Sequence, residues 1–430
     1  MQLMVYAVIV LVVLMFLGVP LPLCFGGALS LFVIIGGLNI KSLLVWGFSQ
    51  MISFTLLAGP MFILSGAFIN NTKIADRLLD LVESFTNKIK GGIGIISIVT
   101  CGFLGAISGS AFTGLAAVGP SLFPKMVKQG YPRGYAAALI SSSTILGVLI
   151  PPSLTMITYG WITGESVLAC FLSTVIPAFL LMFLLSVINI RDARRFDTGT
   201  IVEADAPKKS KAKLWVSSIP ALMMPVIILG GIYGGIFTAS EAAAVAVCVC
   251  IIIGLLVYRN LNFKSFMGAL RESSSSIGSI MLMIFFCLLL SQCFVLLKLP
   301  EQLIAMFMSF TDSKIVVLLC INVFLLFLGM IVNDGTAVVL CAPILLPLCQ
   351  AYGIGGVQLA ALMVMNLSIG GLTPPYASIL YLGMRVCDVS FEEIMPPIIK
   401  LIVFAYLPVT IATTYIPELS LFLPRLFGLA

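Results

Sequence analysis

Two stretches decide the reading of this chain: Leu146-Gly147-Val148-Leu149-Ile150-Pro151-Pro152-Ser153 and, 223 residues later, Ile369-Gly370-Gly371-Leu372-Thr373-Pro374-Pro375-Tyr376. Each lies inside an apolar run long enough to cross a bilayer, yet each holds glycine followed by a proline pair. Glycine admits unusual backbone angles, and each proline removes a helix N–H donor. Both stretches therefore predict a helix broken at its middle. The break frees carbonyls at membrane depth, where an orphan is costly unless something binds it.

The same offset continues outward. Pro120 and Pro124 fall on Pro343 and Pro347, Gly130 on Gly353, and Gly160 on Gly383; one residue's gap earlier, Phe103-Leu104-Gly105 matches Phe327-Leu328-Gly329. A fixed shift over this length marks a duplicated unit, residues 1–192 and 214–430, joined by a polar linker at 193–213. Each unit contains an odd number of full crossings, so the second lies inverted. The expected fold is an all-α polytopic membrane protein of two inverted structural repeats. Each repeat carries a re-entrant helical hairpin (91–127 and 313–351) and a broken transmembrane helix (132–160 and 356–385).

Composition agrees. Of 430 residues, 60% are hydrophobic and 9% charged, with a mean hydropathy of +1.18. An ordinary soluble domain carries about 25% charged residues. A soluble enzyme, a nucleic-acid binder and a disordered chain are all excluded. The absence of histidine removes His metal sites, Ser-His triads and His proton relays. The 11 cysteines sit mostly in apolar runs and read as small core residues. The apolar start lacks a basic n-region and a clear cleavage site, and reads as a first membrane helix.

Unbroken spans of about 20 residues are expected at 3–22, 24–38, 46–70, 166–190, 214–236, 239–258, 275–297 and 392–416. Ile74 to Asn87 and Phe263 to Glu272 read as helices lying in the interface. An outside N-terminus puts 18 of the 23 Lys/Arg on the cytoplasmic side, leaving Lys41, Lys298, Lys314, Lys400 and Arg425. Both termini are then periplasmic and the linker cytoplasmic. The net charge of +6 becomes a topology signal and needs no nucleic-acid partner.

The hairpin tips carry the chemistry. Ser108-Gly109-Ser110 with Thr113, and Asn333-Asp334-Gly335-Thr336, interrupt apolar segments at matching places. Matching interruptions in inverted halves point to a transporter's binding site, whereas scattered Ser and Thr elsewhere read as helix packing. Asp334 is the one acidic residue expected deep in the membrane, where a carboxylate costs about 2.5–3.5 kcal/mol. Two roles are open for it: a packed or helix-capping residue, or a cation ligand beside Asn333 and Thr336. Carbonyls freed near Gly147 and Gly370, with the Ser, Thr and Asn groups of the tips, form an oxygen set suited to Na⁺. A proton-driven carrier would want several buried titratable groups. The helix N-termini after each tip and each proline pair suit an anionic substrate.

Several motifs now align with one family. Gly105-Ala106-Ile107-Ser108-Gly109-Ser110, Ile150-Pro151-Pro152-Ser153, Gly235 to Ala244, and Asn366 to Gly370 with Thr373-Pro374-Pro375 resemble the large (DctM-type) membrane subunit of TRAP transporters, the tripartite ATP-independent periplasmic systems. The likeness covers essentially the whole chain. It implies a bacterial inner-membrane importer of organic acid anions, such as a C4-dicarboxylate, a sialic acid or a related carboxylate, driven by two or more Na⁺. It also implies two partners, a periplasmic substrate-binding protein and a small four-helix membrane subunit. An elevator motion is implied as well, with hairpins and broken helices sliding against a scaffold in the lipid bilayer. Carried over residue by residue, the likeness gives Ser108, Ser110, Thr113 and Gly147 for one Na⁺ site. Asn333, Thr336, Gly370 and Thr373 make the other, with Asp334 nearby. Substrate would then touch Ser110, Asn333 and the helix ends at Pro151, Pro152, Pro374 and Pro375. The tips Ser110-Ala111-Phe112-Thr113-Gly114 and Asn333-Asp334-Gly335-Thr336 depart from the common family forms, so the anion itself stays open.

Three rivals stand beside this reading. A stand-alone Na⁺/dicarboxylate carrier would share the architecture without partners. An ion channel would need a charged ring or carbonyl filter that the sequence lacks. An intramembrane protease would need histidine or a second deep carboxylate.

Overall fold

The computed structural model describes residues 2–72, 74, 77, 91–196 and 211–429. The expected interfacial helix at 74–87 and linker residues 197–210 lie outside the described residues, apart from Ile74 and Arg77. The described residues form helices and no strands. Among the described residues, six helical stretches are long and apolar enough to cross a membrane: Arg133–Thr163, Val167–Arg195, Ala239–Val257, Phe263–Leu296, Asp334–Ala351 and Phe391–Tyr415.

Both hairpins form. The first has arms Gly92–Ser108 and Ala111–Lys128, the second Lys314–Gly329 and Asp334–Ala351. The leading arms hold 17 and 16 residues. At about 1.5 Å per residue that is less than the roughly 30 Å of a hydrocarbon core. Both diproline helices are broken: Arg133–Thr144 and Leu146–Leu149 resume as Leu154–Thr163, and Gly356–Gly370 resumes as Ser378–Cys387. The Pro151–Pro152 and Pro374–Pro375 bonds are cis.

The ends of these elements fix their directions. At one end of the bundle Asn189 donates to the Gly91 carbonyl at 2.8 Å, Tyr131 to Asn189 at 3.0 Å, and Arg133 to the Asp388 carbonyl at 2.6 Å. At the other, Tyr352 donates to the Thr311 carbonyl at 2.8 Å, Lys314 to Gly353 at 3.1 Å, and Tyr159 to Gly356 at 2.7 Å. The first hairpin thus starts and returns at the first end, and the second at the opposite end. The two broken helices cross between the ends in opposite directions. That is an inverted pair.

The halves also exchange partners. The returning arm of the first hairpin packs on Ser378–Cys387, and that of the second packs on Leu154–Thr163. Within each half a glycine of the leading arm meets the glycine before the break, backbone to backbone. A Cβ on Gly105 would lie 2.0 Å from the Gly147 Cα, and one on Gly370 would lie 2.0 Å from the Gly329 carbonyl carbon. Small residues allow this approach, which larger side chains would hold apart. A second group of helices, Leu21–Ile34, Ala58–Asn71, Ala239–Ile252 and Phe263–Leu296, is packed together beside the hairpins.

Three expectations change. The span at 46–70 divides into Ile40–Met51 and Ala58–Asn71, with an irregular turn between them. In that turn the Phe54 carbonyl accepts from the Leu57 amide at 3.2 Å and from the Ser240 hydroxyl at 2.7 Å. The proposed interfacial helix at 263–272 and span 275–297 are one 34-residue helix, Phe263–Leu296. Its polar run does not break it, because Ser273, Ser274, Ser276 and Ser279 each bond the carbonyl four residues back. Finally, Lys400 changes place: it pairs with Asp192, a span-end acid that is 1% exposed. The pair brings Lys400 to the end of the bundle that holds Tyr131 and Asn189, where the sequence reading did not group it.

Candidate functional site

The leading arm of the first hairpin ends at Gly109, which takes φ +64°. A Cβ there would lie 2.7 Å from the Pro152 carbonyl oxygen, so both the backbone angle and the close approach call for glycine. The first tip therefore rests on the first break. Ser110 follows in an extended conformation and starts the returning arm without capping it through its side chain. Ser108 donates to the Leu104 carbonyl at 2.9 Å. Its Cβ and the Thr113 hydroxyl face the same point beside Gly66, at 3.4 and 3.0 Å from a Cβ built there. Gly147 lies against the Ser110 carbonyl, 3.1 Å from its own built Cβ. The first expected group, Ser108, Ser110, Thr113 and Gly147, is thus brought together.

The second group is laid out more loosely. Asn333 caps the returning arm, its side chain accepting from the Gly335 amide at 3.1 Å. Thr336 is fully buried, and its hydroxyl has no hydrogen-bond partner among the described residues. Thr373 donates to the Ile369 carbonyl at 3.0 Å, and the Tyr376 amide donates to the Met330 carbonyl at 2.9 Å, tying the break to its hairpin. Gly370 rests on Gly329 behind the tip.

Both tips open on one cavity of about 740 Å³. Ser110, Thr113, Asn333, Asp334 and Thr336 line it, whereas Ser108, Gly147, Gly370, Thr373 and the four prolines do not. The residues on either side of each proline pair line it instead: those just before the break, and those in the first turn of the helix that resumes after it. Ile145 and Ser368, Val148 and Gly371, and Thr155 and Ser378 all line the cavity, and each pair is related by the same shift of 223. The cavity inherits the symmetry of the repeat. Its remaining wall comes from the start of Leu21–Ile34, from Ala58–Asn71 and from Phe263–Leu296, including its serine run.

Asp334 makes the contact that sequence reasoning missed. Its carboxylate accepts a hydrogen bond from Thr155 at 2.6 Å, joining the second tip to the first broken helix. Thr155 could have been found by carrying Ser378 back through the repeat, since both positions hold hydroxyls at the start of a resumed helix.

The family described as "Tripartite ATP-independent periplasmic transporter, DctM component" matches residues 8–419. The chain is 32% identical over 406 residues to the isethionate TRAP transporter permease protein DctMQ of Oleidesulfovibrio alaskensis, covering 94% of this chain but 64% of that longer protein. It is 31% identical to the sialic acid TRAP transporter large permease protein SiaM of Vibrio cholerae, covering 87% of each. The C4-dicarboxylate TRAP transporter large permease protein DctM of Pseudomonas aeruginosa is 32% identical, with 91% of each covered. Among solved structures, the Alcanivorax borkumensis YdaH transporter shares the fold at a TM-score of 0.61 and 16% identity, over 88% of both chains.

Proposed function

The chain belongs to the DctM-component family of tripartite ATP-independent periplasmic transporters, and from that membership we propose that it is the large permease of a Na⁺-driven importer of an organic acid anion. One observation carries the reading: two hairpin tips and two broken helices, one of each from either half, line a single cavity. The anion is a dicarboxylate, a sialic acid or a related carboxylate, handed over by a periplasmic binding protein. A small membrane subunit braces the scaffold. The chain sits in the bacterial inner membrane with both termini periplasmic and residues 193–213 cytoplasmic.

Two or more Na⁺ ions travel with the anion. Hydroxyl and carbonyl oxygens at Ser108, Ser110, Thr113 and Gly147 hold one, and Asn333, Thr336, Gly370 and Thr373 hold a second. The buried Thr336 hydroxyl, which has no partner among the described residues, suits this role, because a buried polar group without a partner is costly. With ions and anion bound, the hairpins and broken helices slide as a block against the helices packed around Phe263–Leu296.

Uptake into proteoliposomes is expected to require an inward Na⁺ gradient, the binding protein and the small subunit together. Thr336→Val and Ser108→Ala are each expected to raise the Na⁺ concentration for half-maximal uptake. One oxygen contact of about 1 kcal/mol corresponds to about a fivefold change. Unchanged Na⁺ dependence in both variants would remove the ion assignment. Uptake by this chain alone would point to a stand-alone carrier.

A further inference from the structure

Among the described residues lining the cavity, the charged side chains are Glu272 and Asp334, and no Lys or Arg is present. Asp334 opens the helix Asp334–Ala351, and Thr155 lies in the first turn of Leu154–Thr163. The 2.6 Å hydrogen bond between them sets a resident carboxylate at two converging helix N-termini. Those positive ends are what an incoming anion would seek at this tip. Here that place is filled from within the protein.

The first tip differs. The helix Ala111–Lys128 has no acidic residue in its first turn, and Ser110 makes no capping bond with its side chain. Both Ser110 and Thr113 face the cavity. A substrate carboxylate can be received there, and the other end of the same molecule then meets Asp334.

Building on the transport reading above, we propose that Asp334 selects the substrate: the cavity takes an organic acid with one carboxylate, whose far end carries an ammonium group or hydroxyls, and rejects a second carboxylate. A second anionic group facing Asp334 would meet a like charge with no side-chain cation to offset it. An ammonium or hydroxyl donor would instead give the carboxylate a charge-assisted hydrogen bond. The walls extend the same preference, since Thr158, Ser275, Ser276 and Tyr376 offer neutral hydroxyls. Thr155 acts as a positioning residue, holding the carboxylate toward the cavity.

The test measures binding of succinate, γ-aminobutyrate, gluconate and N-acetylneuraminate to the full chain, held with its small membrane subunit in lipid nanodiscs, by calorimetry with and without Na⁺. In the wild type, at least one of the three singly carboxylated acids is expected to bind at least tenfold tighter than succinate. Asp334→Asn, which keeps shape and removes charge, is expected to tighten succinate binding at least tenfold relative to the three singly carboxylated acids. Thr155→Val keeps the charge and is expected to keep the order of preference with a smaller ratio. Succinate bound as tightly as the others by the wild type overturns the assignment, as does an unchanged order in Asp334→Asn. Na⁺-dependent binding that favours succinate sinks this assignment alone. Absence of Na⁺-dependent binding by all four acids sinks the transport reading and this assignment with it.

Discussion

Gly105→Ala and Gly370→Ala are each expected to lose about 3 kcal/mol of stability, at the upper end of overpacking penalties. The reason is the identity of what each new methyl would strike. At Gly105 it would lie 2.0 Å from the Gly147 Cα, and at Gly370 2.0 Å from the Gly329 carbonyl carbon. A side chain in the way could rotate aside, but backbone cannot. Either the hairpin lifts off the broken helix or the break itself moves, and both open the packed interface. Gly278→Ala is the matched control. It lies in the long helix Phe263–Leu296 with nothing within 4 Å of its Cβ position. There alanine is expected to be neutral or to add up to about 1 kcal/mol. Unfolding in a dodecyl sulfate titration separates these outcomes. If Gly105→Ala and Gly370→Ala unfold with the wild type, the backbone-to-backbone seats do not hold the hairpins.

Lys400→Met is expected to cost about 3 kcal/mol, and adding Asp192→Asn to recover at least half of it. Asp192 is 1% exposed, and one of its carboxylate oxygens has no hydrogen-bond partner among the described residues. Lys400 supplies its one ion-pair partner among those residues. Removing the lysine leaves a buried carboxylate unpaired, which is the expensive way to break such a pair. The figure is set at the low end because the Lys400 side chain keeps 37% of its surface exposed. The double variant removes the stranded charge along with its partner. A single variant as stable as the wild type would show that water already reaches Asp192.

Much of the architecture was legible beforehand because its signals are local. Proline pairs behind glycine break a helix whatever surrounds them, and both breaks stand where Pro151-Pro152 and Pro374-Pro375 placed them. What misled was polarity read without its partners. The charged and apolar residues of Phe263 to Glu272 read as an interfacial helix, yet they continue through Ser273 to Ser279 into one helix, whose hydroxyls bond the preceding turn at little cost. The span at 46–70 reads as continuous, and the hydroxyl that adds a second bond to the Phe54 carbonyl in its interruption, on Ser240, lies 186 residues away.

The candidate site shows the same division. Ser110, Thr113, Asn333 and Thr336 could be picked out as hydroxyls and amides at interrupted apolar runs, and all four face the cavity. The prolines beside them do not, whereas residues just before each break and in the first turn after it do. Nor could Thr155 be paired with Asp334 from their order in the chain, since they are 179 positions apart and in different halves.

By itself the sequence determined a membrane protein made of two inverted copies, each with a hairpin and a broken helix, because periodic apolarity and the chemistry of glycine and proline act within a few residues. Only the tertiary structure decided which helix each tip leans on, that the halves trade partners, and that a carboxylate already occupies one of the helix ends. Those choices depend on contacts between segments far apart in the chain, where the close fit of backbone against backbone and the pairing of buried polar groups select one arrangement among many that the same pattern would allow.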